Sequence, residues 1–292
     1  MTAAAFVLVI VSAVMHATWN FLLKRSGNKA LFFWAMAGTG AFFVAPPAIY
    51  AAVVDGFELK WLLYGLGTVT LHGIYAHSLT RSYESGDLSS VYPISRGMGP
   101  AFVPVFAVIL FDEHVSAIAA MGIALVVVGI YATHIDTRFW RDVSHPLRML
   151  MSTDTRLAFF TGAVIAGYTL WDKNSLNHDV NPITLNGFSM IGNFAALLPF
   201  ALFAIPREAL NTEWRLRWRS IIVAGILAPL GYTLVLIALT TSRVSYIAPA
   251  REVGIVLGAA MGVLVLGEGY GMTRIWGSVL IVAGCITLGV AP

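Results

Sequence analysis

Residues 89–113 read SSVYPISRGMGPAFVPVFAVILFDE, and residues 244–268 read VSYIAPAREVGIVLGAAMGVLVLGE. Each is an apolar run with an arginine deep inside it, scattered glycines, at least one proline and a closing glutamate. Set at an offset of 155, Arg96 falls on Arg251, Gly99 on Gly254 and Glu113 on Glu268. The same offset carries Gly122 onto Gly277 and Gly129 onto Gly284, while an offset of 152 puts Trp19-Asn20 on Trp171-Asp172 and Pro47 on Pro199. Glycines alone would mean little in a chain that has 27 of them, but Arg and Glu coinciding at one spacing mark an internal repeat.

The rest of the chain says what is repeated. Of its 292 residues 58% are hydrophobic and 11% charged, against about 25% charged in a soluble globular domain. A soluble fold, a disordered chain and a disulfide scaffold are excluded together, the last because Cys285 is the only cysteine. Removing every Asp, Glu, Lys and Arg leaves ten charge-free stretches: 1–23, 30–54, 61–80, 97–111, 115–135, 157–171, 180–206, 220–242, 253–267 and 275–292. A bilayer core of about 30 Å needs roughly 20 apolar residues of helix, so the three shortest stretches must be completed across a bounding charge. That brings Arg96 into the fourth span, Asp172 and Lys173 into the sixth, and Arg251 and Glu252 into the ninth.

The runs are too long and too evenly apolar for the alternating strands of a membrane barrel. The first lacks a basic start and a small-residue cleavage site, and reads as a retained helix rather than a signal peptide. The expected fold is an all-α integral membrane protein of ten transmembrane helices. Five helices per repeat is odd, so the second half enters the bilayer inverted, a device of secondary transporters. The halves are residues 1–135 and 156–292, with 136–155 as the connecting loop. Thirteen of the 18 Lys and Arg residues fall in the loops on one side, which the positive-inside rule assigns to the cytoplasm, leaving both termini outside.

A charge near the bilayer centre costs at least about 2.5 kcal/mol and marks a functional candidate. Arg96 and Arg251 stand about eight residues into their helices and suit a bidentate hold on a carboxylate. Asp172 and Glu252 are candidates for proton coupling, and Pro93 and Pro249 for gating, because proline removes a helix hydrogen bond and frees a carbonyl. His72 and Tyr75 share one helix face. With Trp19, Asn20, Tyr92, Ser95, Trp171 and Tyr232 they form polar-aromatic patches suited to the wall of a cavity. Glu113 and Glu268 read as helix caps.

No His-Glu-x-x-His, Gly-x-Ser-x-Gly or nucleotide-binding glycine loop occurs, which argues against an intramembrane enzyme or an ATP-driven pump. No cofactor, resident metal or nucleic-acid partner is expected. The expected partners are membrane lipid and a small-molecule substrate, and the chain is expected to act as a monomer.

With Trp19-Asn20 ending the first span, Val91-Tyr92-Pro93-Ile94-Ser95-Arg96 opening the fourth and Leu264-Val265-Leu266-Gly267-Glu268 closing the ninth, the chain resembles the EamA-type drug/metabolite transporter superfamily over essentially its whole length. That resemblance implies a secondary transporter, often an exporter in a bacterial-type inner membrane, with the pathway lined by the third, fourth, eighth and ninth helices. Among its members the chain is most similar to amino acid exporters of the aromatic-exporting YddG type. Many members are drawn with cytoplasmic termini, the reverse of what the charges argue here.

Overall fold

A computed structural model of the protein describes the backbone of residues 1–85, 88–133, 153–204, 206–266 and 271–292. These form ten helices, α1 (Ala3–Lys24), α2 (Lys29–Val54), α3 (Lys60–Ser85), α4 (Leu88–Phe111), α5 (Ala117–Ala132), α6 (Thr153–Asn177), α7 (Pro182–Pro199), α8 (Arg207–Thr241), α9 in two segments (Val244–Ala250 and Val253–Leu266) and α10 (Met272–Val290). Most of the expected connecting loop and Glu268 lie outside the described residues, as do the side chains of Tyr92 and Pro93.

Helix starts follow local chemistry. The side chains of Thr2, Asn28, Ser116 and Asn181 each accept a backbone N–H in the first turn of α1, α2, α5 and α7. Two departures from the sequence expectation stand out. First, α8 begins at Arg207, well before the charge-free stretch, because Arg207 to Arg219 is rich in helix formers with Glu208 in the first turn. Trp214, Leu216 and Trp218 remain exposed on that extension, a pattern suited to the membrane interface. Second, the prolines of α4 leave it one continuous helix, whereas α9 breaks two residues after Pro249. At that break the N–H groups of Glu252, Gly254 and Ile255 each bond a carbonyl three residues back, a tighter turn than an α-helix makes.

Among the described residues six helices are long and apolar enough to cross a membrane: α1, α2, α7 with its terminal π-turn, α8, α9 taken across its break, and α10. Shorter apolar helices at Ser95–Phe111 and Ala117–Ala132 belong to α4 and α5. Helices α3 and α6 fall short because they carry Thr68, Thr70, His72 and His77 on one and Thr169, Asp172 and Lys173 on the other. These two polar helices pack against each other, inside a bundle whose outer surface exposes Phe42, Leu63, Ile109, Leu202 and Val290. The protein is a multi-pass integral membrane protein, polar within and apolar without.

The packing has an approximate two-fold symmetry. α5 lies on α10 and α2 on α7; α1 on α8 is mirrored by α3 on α6, and α3 on α7 by α2 on α8. The sharpest expression is the α5–α10 crossing. Gly122 meets Gly284 and Gly129 meets Gly277, so each glycine touches the repeat-mate of the other, and the two helices run antiparallel as inversion requires. A Cβ at Gly129 would stand 2.8 Å from the carbonyl oxygen of Gly277, and one at Gly284 2.6 Å from that of Gly122. The backbones have no room for side chains there. Gly129→Val is therefore expected to destabilise the protein by roughly 1–3 kcal/mol. Thermal unfolding in detergent checks this, with Val128→Leu on the exposed face of the same helix expected to be neutral.

Both termini and the loops after α2, α4, α6 and α8 share one face, here called the terminal face; the ends of α1, α3, α5, α7 and α9 lie at the other, here called the basic face after Lys24, Arg25 and Lys29. Hydrogen bonds tie the halves together at the terminal face. Glu113 accepts from the Val244 N–H at 2.8 Å, the Ser245 N–H at 3.0 Å and the Ser245 hydroxyl at 2.5 Å. It thus caps α9 in the other half rather than the hairpin that follows it in sequence. Asn181 donates to Asp55 at 2.6 Å, and the Met1 amino group to the Ala291 carbonyl at 3.2 Å. Lys173, read from sequence as an intramembrane ion, donates to the Leu239 carbonyl at 2.7 Å at the end of α8.

Candidate functional site

Between the repeats, from about mid-bundle toward the basic face, lies a narrow central cavity. α1 contributes Ser12, His16 and Trp19; α2 contributes Phe33 and Met36; α3 contributes His72 and Tyr75. From the second half come Tyr168 on α6, Ser189, Met190 and Asn193 on α7, Gly231 and Tyr232 on α8, and Arg251 at the break in α9. The walls are aromatic and apolar with a few polar groups, as expected of a small-molecule site. His16 stands edge-on to Trp19 at 4.8 Å, and Tyr168 packs on His72 at 4.5 Å and Tyr75 at 5.4 Å between ring centroids.

Behind the tyrosines is a wholly buried carboxylate. Asp172, with no exposed surface, accepts a hydrogen bond from the Thr68 hydroxyl at 2.9 Å and another from the Tyr232 hydroxyl. His72 faces it, with Nε2 3.8 Å from Oδ2. The other ring nitrogen, Nδ1, lies 3.1 Å from the Thr68 carbonyl. A carbonyl only accepts, so Nδ1 carries a proton and Nε2 is the titrating nitrogen, turned toward Asp172.

The two arginines that the repeat makes equivalent have opposite environments. Arg96 Nη2 lies 3.2 Å from Glu252 Oε2 in a buried ion pair between α4 and α9, and Arg96 is not a lining residue of the cavity. Arg251 lines the cavity, its guanidinium 5.7 Å from the Tyr232 ring centroid. Among the described residues it has neither a carboxylate partner nor a hydrogen-bond partner. The repeat supplies the reason. At the offset that aligns the arginines, the position matching Glu252 is Gly97, where even a Cβ would meet the Tyr131 ring at 3.3 Å. One half provides an acid for its partner's arginine; the other has a glycine there, set closely against a tyrosine ring. At the break the adjacent side chains part, Arg251 facing the cavity and Glu252 reaching Arg96.

Of the residues singled out from sequence, Trp19, His72, Tyr75, Tyr232 and Arg251 line this cavity, and Asp172 lies directly behind it. Others are elsewhere. Trp171 donates to the Tyr64 carbonyl at 3.0 Å and fills the notch above Gly67 where α3 crosses α6. Asn20 donates to the His16 carbonyl of its own helix at 2.8 Å. Ser95 is buried where its carbonyl backs against Gly162 at the α4–α6 crossing. Pro249 sits at the break, and the side chains of Tyr92 and Pro93 are outside the described residues.

Sequence reading missed Thr68, Ser189 and Asn193. Asn186 and Asn193 stand seven residues apart in an apolar run, hence on one helix face, and that spacing was the available signal.

Over the whole chain the fold superposes on a solved structure described as "Crystal structure of protein", with a TM-score of 0.71 over 99% of this chain and 98% of that one. Identity between the two is 15%, so the likeness concerns the fold alone. The family comparison is more specific, and it falls on the half that supplies Tyr168, Asp172, Asn193, Tyr232 and Arg251: residues 156–290 are similar to the EamA-like transporter family and match its model.

Proposed function

We propose that the protein is a secondary transporter of small zwitterionic or anionic metabolites, amino acids first, working by alternating access through the central cavity. The carrying observation is Arg251, a cation facing the cavity without a protein carboxylate, while its repeat-mate Arg96 is neutralised by Glu252. A cation inside a membrane bundle is retained for a purpose. A substrate carboxylate completes the pair here, and the aromatic walls receive the rest of the molecule. Residues 1–135 and 156–292 act as the two moving halves, joined through 136–155, and the termini lie outside a bacterial-type inner membrane.

The His72–Asp172 pair is the proton-carrying element. With one proton between them the pair is neutral in either arrangement; with none, a buried negative charge remains. An anion bound at Arg251 adds one negative charge, which a proton on this pair offsets. Arg251 and the hydroxyls of Thr68, Tyr168 and Tyr232 are the other groups facing it.

Counterflow of labelled amino acids, aromatic ones included, into liposomes holding the purified protein tests the reading. Saturable uptake driven by unlabelled amino acid inside is the expected result. An imposed pH gradient is expected to change the flux of an anionic cargo in the wild type and not in Asp172→Asn. Absence of counterflow across the panel would remove amino acids, and a flux indifferent to pH would leave facilitated diffusion.

A further inference from the structure

Two asparagines on the same face of α7 are treated differently by the fold. Asn186, fully buried, has its amide satisfied: Nδ2 donates to the Pro229 carbonyl at 2.7 Å and to Thr233 Oγ1 at 2.8 Å, and Oδ1 lies 3.0 Å from the Ser189 hydroxyl. That amide is structural. Two turns on, Asn193 is only 6% exposed and lines the cavity, yet its Oδ1 has no hydrogen-bond partner. A buried acceptor left unmade is costly, so native folds keep few of them. The repeat gives no structural reason for an amide here, since the positions 152 to 155 residues earlier are Gly38, Thr39, Gly40 and Ala41. The second half has placed an acceptor where the first has small residues.

From these observations, together with the zwitterion reading above on which the inference rests, we propose that Asn193 Oδ1 receives the ammonium group of the cargo while Arg251 holds its carboxylate. The site then presents an acceptor on α7 and a donor fork at the α9 break, both in the second half, and a cargo needs both charges to use them. Met190 one turn before Asn193, with Phe33 and Met36 on α2, leaves the side chain of the cargo an apolar wall. Specificity would come from the cost of leaving Asn193 unpaired. A carboxylate lacking the amine fills Arg251 and wastes the acceptor, and a site built around a polar group rejects the analogue that lacks its partner.

The test uses the full chain in proteoliposomes, with L-phenylalanine, 3-phenylpropionate and phenethylamine as competitors of counterflow. Wild-type protein is expected to prefer phenylalanine over 3-phenylpropionate by about tenfold or more. Asn193→Leu, close in shape, is expected to lose most of that preference by weakening phenylalanine alone. Asn193→Asp, which keeps the shape and adds charge, is expected to improve phenethylamine as a competitor. If wild type carries phenylalanine but Asn193→Leu keeps the full preference, or if wild type does not discriminate at all, the ammonium assignment is overturned and the transport reading stands. If no amino acid is carried, both fall.

Discussion

Arg251→Ala is expected to abolish counterflow of any carboxylate-bearing cargo while leaving a folded, monodisperse protein. The guanidinium makes no hydrogen bond or salt bridge among the described residues and has a cation–π contact with Tyr232, so its removal breaks no hydrogen bond of another group. What disappears is the substrate's anchor. Hydrogen bonds to a charged group are each worth about 1.5–3 kcal/mol, and a bidentate pair therefore accounts for a hundredfold or more in affinity. Arg251→Lys separates charge from shape. The ammonium keeps attraction for an anion but not the planar fork, so an intermediate loss of about tenfold is expected. Counterflow measured against substrate concentration reads both variants, and near-normal uptake by the alanine variant would remove Arg251 from the site. The contrast with Arg96 matters, since the repeat makes the two residues equivalent and only their surroundings differ.

That difference also marks how far the sequence could be read. The ten helices of the described residues and the buried arginines were legible, because apolar runs cut by charges mark helices in a membrane protein and a repeat announces itself twice. The central cavity was half legible. Trp19, His72, Tyr75 and Tyr232 advertise themselves as polar-tipped rings inside apolar runs, but Trp171 has the same appearance and turns out to fill a helix crossing. Residue type cannot separate the two, since the direction of a side chain depends on which neighbour crosses above it. The partition of the arginines was hidden for a similar reason. Glu252 is adjacent to Arg251 in sequence, yet in the fold it reaches Arg96 on another helix. Asn193 was passed over because an asparagine in a membrane helix is ordinarily bonded to its neighbours, as Asn186 is; its distinction is a missing bond, which has no sequence signature.

Glu252→Gln is expected to lower stability, because it takes from the buried Arg96 the carboxylate that lies 3.2 Å from its guanidinium. Both side chains are largely buried, and breaking such a pair from one side typically costs about 3–5 kcal/mol. Arg96→Ala is expected to do comparable damage by stranding Glu252, so its loss of transport would follow from misfolding rather than from a missing substrate contact. The decisive variant is the double replacement Arg96→Met with Glu252→Leu. Apolar residues of similar size remove both charges at once, and replacing a buried pair this way is often neutral for stability. Thermal unfolding of the two single variants and the double, taken as a cycle, is expected to show recovery of most of the lost stability in the double. The pair also joins α4 to α9 at the break, the point where one half must move against the other. If the restored double folds but no longer transports, the ion pair acts in the conformational change. If it transports normally, the pair serves only to neutralise Arg96. A stable Arg96→Ala that fails to bind substrate would overturn the partition and return Arg96 to the cavity.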